Sequence, residues 1–150
     1  LRYFNIFGPR QSPEGPYAAA IPLFLDACIK NESPFINGDG EQSRDFTFVE
    51  NAVQANIKAL FSDHPRLSGS VINIACGDRT TINGLFEMIR DISESKSKPV
   101  YRDDRPGDVK HSLADISLAS ELTGFKPTFQ IKEGLKVTFD WFKKKYYSKT

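Results

Sequence analysis

One hundred and fifty residues, 39% hydrophobic and 26% charged, make one domain's worth of chain with apolar side chains enough for a sizeable core. Twenty Lys and Arg against nineteen Asp and Glu leave a formal net charge of +1, so no global field recruits nucleic acid or an anionic membrane and any partner must be met at local sites. No apolar run approaches the ~20 residues that cross a bilayer, and Cys28 and Cys76, each in apolar surroundings, read as buried, reduced thiols of a cytoplasmic protein.

The first run, Leu1 to Ile6, has strand composition and ends at Phe7-Gly8-Pro9. It begins without methionine or lead-in, and the chain is expected to be a piece of something longer. After a polar loop from Arg10 to Pro16, apolar residues Ile21, Phe24, Leu25, Cys28 and Ile29 recur at helical spacing, with Pro22 tolerable only near the first turn and Asn31 as the stop. Pro34 to Asn37 reads as a short strand, Gly38-Asp39-Gly40 as a turn, and Asp45 to Phe48 as a second strand. Val49, Val53, Ile57 and Leu60 mark a helix.

Beyond the loop His64 to Ser70, the β-branched run Val71 to Ala75 suits a buried parallel strand. Thr81 caps a helix carrying Ile82, Leu85, Phe86 and Ile89 on one face, which ends at the polar stretch Ser93 to Lys98. Val100-Tyr101 makes a short strand before the charged loop Arg102 to Asp108. Asp115 caps a short helix ending at Gly124, and Ile131, Leu135, Phe139, Phe142 and Tyr146 stripe a final amphipathic helix. Strands alternate with helices, so the fold class is α/β.

Several chemistries are missing. No Gly-x-x-Gly spacing occurs, which removes the dinucleotide fingerprint and the Walker loop, and no Tyr-x-x-x-Lys, Gly-x-Ser-x-Gly or Cys-x-x-Cys is present. His64 and His111 read as loop histidines. Asp39, Glu41, Ser43, Asp45 and Glu50 fall on calcium-loop positions, but Arg44 occupies the place of the turn glycine and would repel the cation.

Arg44 is therefore the informative residue of that loop. Guanidinium groups make planar, bidentate contacts with phosphate oxygens, and two of them can share a diphosphate without a glycine loop. Arg44 follows a turn, and Arg105 sits in Arg105-Pro106-Gly107-Asp108, where Pro and Gly fix the loop's shape. Asp108 can accept from a ribose diol, and Phe35 offers a flat face for a base. Each has a plainer reading as well: Arg44 paired with Asp45 or Glu41, Asp108 as a turn residue, Phe35 as core.

Three stretches together carry a resemblance: Arg2-Tyr3-Phe4-Asn5-Ile6-Phe7-Gly8-Pro9-Arg10-Gln11, Gly38-Asp39-Gly40-Glu41-Gln42-Ser43-Arg44-Asp45-Phe46, and Arg105-Pro106-Gly107-Asp108. In their order and spacing, over essentially the whole chain, they resemble the extended short-chain dehydrogenase/reductases, specifically the nucleotide-sugar 4-epimerases of the UDP-N-acetylglucosamine and UDP-glucose type. The resemblance implies a C-terminal substrate-binding lobe plus the terminal strands of an NAD(P)-binding Rossmann-like fold, residues 1–150 forming one unit. The NAD-binding half and its catalytic Tyr/Lys pair would lie outside this chain, which by itself would be inactive. It further implies a UDP-sugar ligand: Asn5 toward the diphosphate or sugar, Gln11 near the sugar, Phe35 against uracil, Asn37 toward the base, Arg44 and Arg105 on the phosphates, and Asp108 on the ribose.

Ser112 aligns with the place where some epimerases carry a bulky tyrosine, so its small side chain implies room for a 2-N-acetyl group. Asn51 departs from an aspartate common in relatives, and Lys110 from an arginine. A dehydratase or decarboxylase of the same superfamily, and a non-catalytic nucleotide-sugar-binding module, are the alternatives. The parent enzyme is expected to be a homodimer, and the strands at Leu1 to Ile6 and Val71 to Ala75, deprived of the rest of their sheet, are expected to leave an apolar surface through which the isolated chain self-associates.

Overall fold

The computed structural model describes residues 1–14, 19–107 and 109–147. The first half contains β1 (Arg2–Tyr3), β2 (Ile6–Phe7), α1 (Ala20–Lys30), β3 (Phe35–Asn37), β4 (Ser43–Arg44), β5 (Thr47–Phe48) and α2 (Val49–Leu60). The second contains β6 (Asn73–Ile74), β7 (Thr80–Thr81), α3 (Ile82–Ser93), β8 (Val100–Arg102), α4 (Ser117–Thr123) and α5 (Ile131–Phe142), with a π-helical turn at Lys143–Tyr147. The alternation of strands and helices is that of an α/β fold.

The opening apolar run is two strands, not one. β1 pairs in parallel with β6, Arg2 opposite Asn73 and Tyr3 opposite Ile74, whereas β2 pairs in parallel with β5. The switch falls at Asn5, whose φ of 38° lies in the left-handed region that asparagine tolerates better than branched residues. Its side-chain Nδ2 donates to the Asp45 carbonyl at 3.0 Å, and its own carbonyl accepts from Thr47 N at 3.2 Å. Of the expected strand Asp45 to Phe48 only Thr47 and Phe48 are extended, as β5 paired with β2; Asp45 and Phe46 link it to β4, which precedes the expected run and pairs antiparallel with β7.

The helices follow their local signals more closely. Thr81 Oγ1 accepts from Gly84 N at 3.0 Å, Asn31 closes α1 with a φ of 55°, and Gly124 closes α4 with a φ of 66°. Asp115 Oδ1 accepts from Ser117 N at 2.8 Å just before α4, and these bonds hold its carboxyl below the ordinary aspartate value. A capping box at Gln130 and Glu133, not anticipated from the sequence, opens α5. The expected stripe through Tyr146 ends sooner, because the α-helix stops at Phe142 and Tyr146 lies in the π turn.

Helices α1, α3 and α5 bury Phe24, Leu25, Leu85, Phe86, Leu135 and Phe142 against β2 and β5. The burial of each such side chain stabilises the fold by about 1.5–3 kcal/mol relative to exposure. Gly134 lets α5 lie against β5, since a Cβ there would come within 2.7 Å of the Phe48 ring. A smaller core joins α2, β6 and α4 through Ala55, Ile72, Ile74, Leu122 and Phe125. On the outer side of α2, Val53, Ile57, Leu60 and Phe61 follow one another at helical spacing and are exposed, as are Leu1, Tyr3 and Val71 near β1 and β6. Cys28 is buried, but Cys76 is only partly so; both are free thiols. Among the described residues no helix is long and apolar enough to cross a membrane.

Candidate functional site

Strand β3 pairs in parallel with β8, placing Phe35 opposite Val100, Ile36 opposite Tyr101 and Asn37 opposite Arg102. Side chains alternate along a strand, so Ile36 enters the core while Phe35 and Asn37 share the other face. Arg102 lies across from Asn37: its Nε donates to Asn37 Oδ1 at 2.5 Å, and its guanidinium stands over the Phe35 ring, 5.2 Å from the centroid. Phe35 keeps 59% of its surface exposed, which removes the reading of this residue as core.

The turn after β3 is built for close contact. Gly38 and Gly40 have φ of 62° and 77°, and a Cβ would meet Asp104 Oδ1 at the first and Asn83 Oδ1 at the second, each at 2.0 Å. Asn83 donates to the Asp39 carbonyl and to Glu41 Oε1, and Tyr101 Oη donates back to Asn83 Oδ1, so the turn is tied to both α3 and β8. Gln42 Nε2 donates to the Asn37 carbonyl at 2.8 Å.

These elements wall a cleft of about 530 Å³. Six of the residues singled out from sequence line it: Asn5, Gln11, Phe35, Asn37, Arg44 and Arg105. The floor is apolar, from Phe7, Ile21, Phe24, Phe46 and Ile82. A second hollow of about 300 Å³ shares Asn37, Gln42 and Arg105 and adds Asp39, Asp104 and Lys110. Ser112 is not among the lining residues of either hollow; its backbone N–H donates to the Ser43 carbonyl at 3.0 Å. Asp108 lies outside the described residues. Arg102 and Gln42 also line the larger cleft and were not singled out from sequence. Arg102 becomes visible only through its pairing with a strand 65 residues away.

Behind this wall lies a buried polar hub. Asp45 is fully buried, and its carboxylate accepts from the backbone N–H groups of Cys76 (3.0 Å), Gly77 (2.9 Å) and Ala114 (3.4 Å). Burial pushes its carboxyl above the ordinary aspartate value, against the opposing pull of those amides. This carboxylate fastens two loops, one at Cys76-Gly77 and one at Ala114, to its own segment, and so fixes the strand end that carries Arg44. Arg44 Nη1 donates to the Ser43 carbonyl at 2.8 Å.

Asn51, also fully buried, accepts at Oδ1 from Thr128 N and Phe129 N and donates from Nδ2 to the Phe129 carbonyl at 2.8 Å. An aspartate has no N–H for that carbonyl, which accounts for the amide at this position. His111 Nδ1 bonds Ser43 Oγ at 3.0 Å, and His64 Nδ1 accepts from Arg66 N; each histidine is engaged locally. Among the described residues no group of three or more His, Cys, Asp or Glu side chains is placed to hold a metal ion.

Chemically, the larger cleft offers guanidinium groups and amides over an apolar floor, and no described carboxylate lines it. Such a set receives an anion attached to a flat, partly apolar body. Gln11 Nε2 donates to the Ile6 carbonyl at 3.4 Å, while its buried Oε1 has no partner among the described residues. The pyrophosphate of a dinucleotide cofactor would ordinarily meet a glycine-rich turn at a helix start, and the chain has no Gly-x-x-Gly spacing to build one. The residues present therefore do not make that cofactor's pyrophosphate turn.

Comparison with known proteins agrees with the class that fold and cleft define. The family model described as GDP-mannose 4,6 dehydratase matches residues 1–138. A UDP-N-acetylglucosamine 4-epimerase from Methanobrevibacter ruminantium, solved with UDP-N-acetylmuramic acid, is 51% identical, with a TM-score of 0.86 over 95% of this chain and 44% of its own. A UDP-glucuronic acid 4-epimerase from Bacillus cereus, solved with UDP-glucuronic acid and NAD, is 32% identical, with a TM-score of 0.88 over 97% of this chain and 45% of its own. The UDP-N-acetyl-alpha-D-glucosaminuronate decarboxylase of Bacillus cytotoxicus is 34% identical over 149 residues, 95% of this chain and 45% of that protein. The chain thus spans a little under half the length of the relatives it matches. It belongs to the extended short-chain dehydrogenase/reductase family of nucleotide-sugar-modifying enzymes.

Proposed function

We propose that residues 1–150 form the substrate-binding lobe of a UDP-sugar 4-epimerase, with the NAD-binding half and the catalytic Tyr/Lys pair lying outside this chain. The observation that carries the reading is the convergence of Arg44, Arg105, Asn5, Gln11, Phe35 and Asn37, drawn from three separated stretches, on one cleft. In this reading Arg44 and Arg105 take the diphosphate, Phe35 and Asn37 the base, and Asn5 and Gln11 the sugar side. Asp108, on the ribose, completes the set. NAD in the full-length protein would supply removal and return of hydride at C4.

The physical logic favours this division. A 4-epimerase must present both faces of a keto-sugar, so tight contacts on the sugar would oppose turnover. Binding free energy is better placed on the nucleotide, which is unchanged by the reaction, and charge-assisted contacts to a diphosphate contribute about 1.5–3 kcal/mol each. The amides of Asn5 and Gln11, each already held to a backbone carbonyl through its Nδ2 or Nε2, can touch the sugar without gripping it. In this reading the lobe binds and orients, and its sequence carries no Tyr-x-x-x-Lys pair.

An N-acetylated UDP-hexose is the preferred substrate in this proposal, supported by the 51% identity to a UDP-N-acetylglucosamine 4-epimerase. A dehydratase or decarboxylase outcome is the second reading, supported by the family model's description and by the decarboxylase relative. The full-length protein is proposed to be a cytoplasmic homodimer, and the isolated chain to self-associate through the apolar surface left at Leu1, Tyr3 and Val71 beside β1 and β6. The test is incubation of the full-length protein with NAD and UDP-N-acetylglucosamine or UDP-glucose, with products resolved by NMR. The expected product is the C4 epimer; a 4-keto-6-deoxy sugar, a decarboxylated uronic acid in a parallel incubation, or no turnover at all counts against the epimerase reading.

A further inference from the structure

Resting on the nucleotide reading of the cleft, we propose that Arg102 is a positioning residue that makes the base subsite select a nucleobase with a carbonyl at its 4-position over one with an exocyclic amine there. A guanidinium only donates hydrogen bonds, so the Asn37 atom that meets Arg102 Nε at 2.5 Å must be the carbonyl oxygen Oδ1. The amide is planar, and pinning Oδ1 on Arg102 turns Nδ2 to the other side. Asn37 Nδ2 has no partner among the described residues, and Asn37 lines both hollows. The result is a side chain whose acceptor is consumed and whose two donors are presented.

The pinning is itself well supported. Arg102 is held on three sides: by strand pairing opposite Asn37, by its own carbonyl, which accepts from Gly38 N at 2.8 Å, and by the Phe35 ring beneath its guanidinium. Gln42 fixes the Asn37 backbone carbonyl from the other direction. An asparagine alone could turn its amide over to suit an acceptor or a donor. With Arg102 in place, turning it over sets Nδ2–H against a guanidinium N–H. Uracil and cytosine share the 2-carbonyl and differ at position 4, a carbonyl acceptor in one and an amine donor in the other, and at N3, an N–H donor in one and an acceptor in the other. With the Asn37 Nδ2 donors set against position 4, the first is accepted and the second faces them N–H to N–H, the kind of mismatch that discriminates strongly.

The experiment is calorimetric titration of UDP and CDP into the full-length wild-type protein and into Arg102→Leu, Arg102→Lys and Asn37→Asp. Wild type is expected to prefer UDP. Arg102→Leu frees the amide to turn and is expected to lower the UDP/CDP affinity ratio about tenfold. Arg102→Lys, whose ammonium also only donates, retains most of the preference. Asn37→Asp, which presents acceptors alone, reverses it. A ratio unchanged in both Arg102→Leu and Asn37→Asp, with UDP still bound, overturns the role of Arg102 and leaves the nucleotide reading intact. No UDP binding by wild type overturns the nucleotide reading and this proposal together.

Discussion

Asn51 and Asn37 carry the same side chain in two regions that use it oppositely. Around Asp45 and Asn51, both carboxylate oxygens and both ends of the amide are answered by the backbone of distant loops, and neither residue reaches solvent. Along the cleft wall, Asn37 has one end of its amide pinned by Arg102 and the other open, and Gln11 keeps a buried oxygen without a partner among the described residues. The first region spends its polar groups on holding the chain together. The second holds its groups still but leaves part of their bonding capacity for something else. The difference separates residues that shape the site from residues that meet a ligand, and it assigns Asp45 to the former although it is adjacent to Arg44.

Emptying the hub should disturb the molecule most. Asp45→Ala leaves three backbone N–H groups without their acceptor, the Ala114 bond being buried and the Cys76 and Gly77 bonds partly buried, and is expected to cost about 3 kcal/mol of stability, read as a lower midpoint in chemical denaturation of the full-length protein. A loss under about 1 kcal/mol means the hub does not fasten the loops. Asn51→Asp comes next, at about 2 kcal/mol, since the new carboxylate confronts the Phe129 carbonyl that Nδ2 now serves. Stability equal to wild type across neutral pH argues against the donor role of Nδ2.

A smaller effect concerns pH. Burial raises the Asp45 carboxyl above its ordinary value of 3.8, so the folded state binds this proton more tightly than the unfolded chain does. The contribution from this group is therefore fully present below the ordinary value and declines as pH rises through the raised one. Asp45→Asn, which cannot titrate, is expected to lose that downward slope; an identical pH dependence in both proteins contradicts the assignment. The smallest change tests the region between hub and cleft: Ser112→Tyr in the full-length protein is expected to depress turnover of the N-acetylated substrate selectively. Equal loss on acetylated and plain sugars removes Ser112 from substrate choice.

How much of this was legible in the sequence depends on how far apart the interacting residues lie. The Thr81 cap, the Asn31 stop and the apolar face of α3 are written within single turns, and the structure follows them. The extended runs are different, because a strand's limits are set by its partner. Leu1 to Ile6 splits where it passes from β6 to β5, and nothing local distinguishes that from one continuous strand. Arg44 and Arg105 could be singled out because turn residues flank them and phosphate chemistry suits them. Arg102, three residues from Arg105, carried no such flag. Its meaning comes from lying opposite Asn37 across a ladder that joins residues far apart in the chain. Asn51 is similar: as sequence it is a departure from an aspartate, and only the backbone at Thr128 and Phe129 says why the amide is there.

The central claim is that the cleft holds a nucleoside diphosphate through guanidinium groups placed by this hub and this wall. Calorimetric titration of UDP into the full-length protein, beside its Arg44→Ala and Arg105→Ala variants, tests it most directly. Each variant is expected to weaken UDP binding by at least ~2 kcal/mol, the scale of a lost charge-assisted contact. UDP affinity unchanged in both variants would contradict the account.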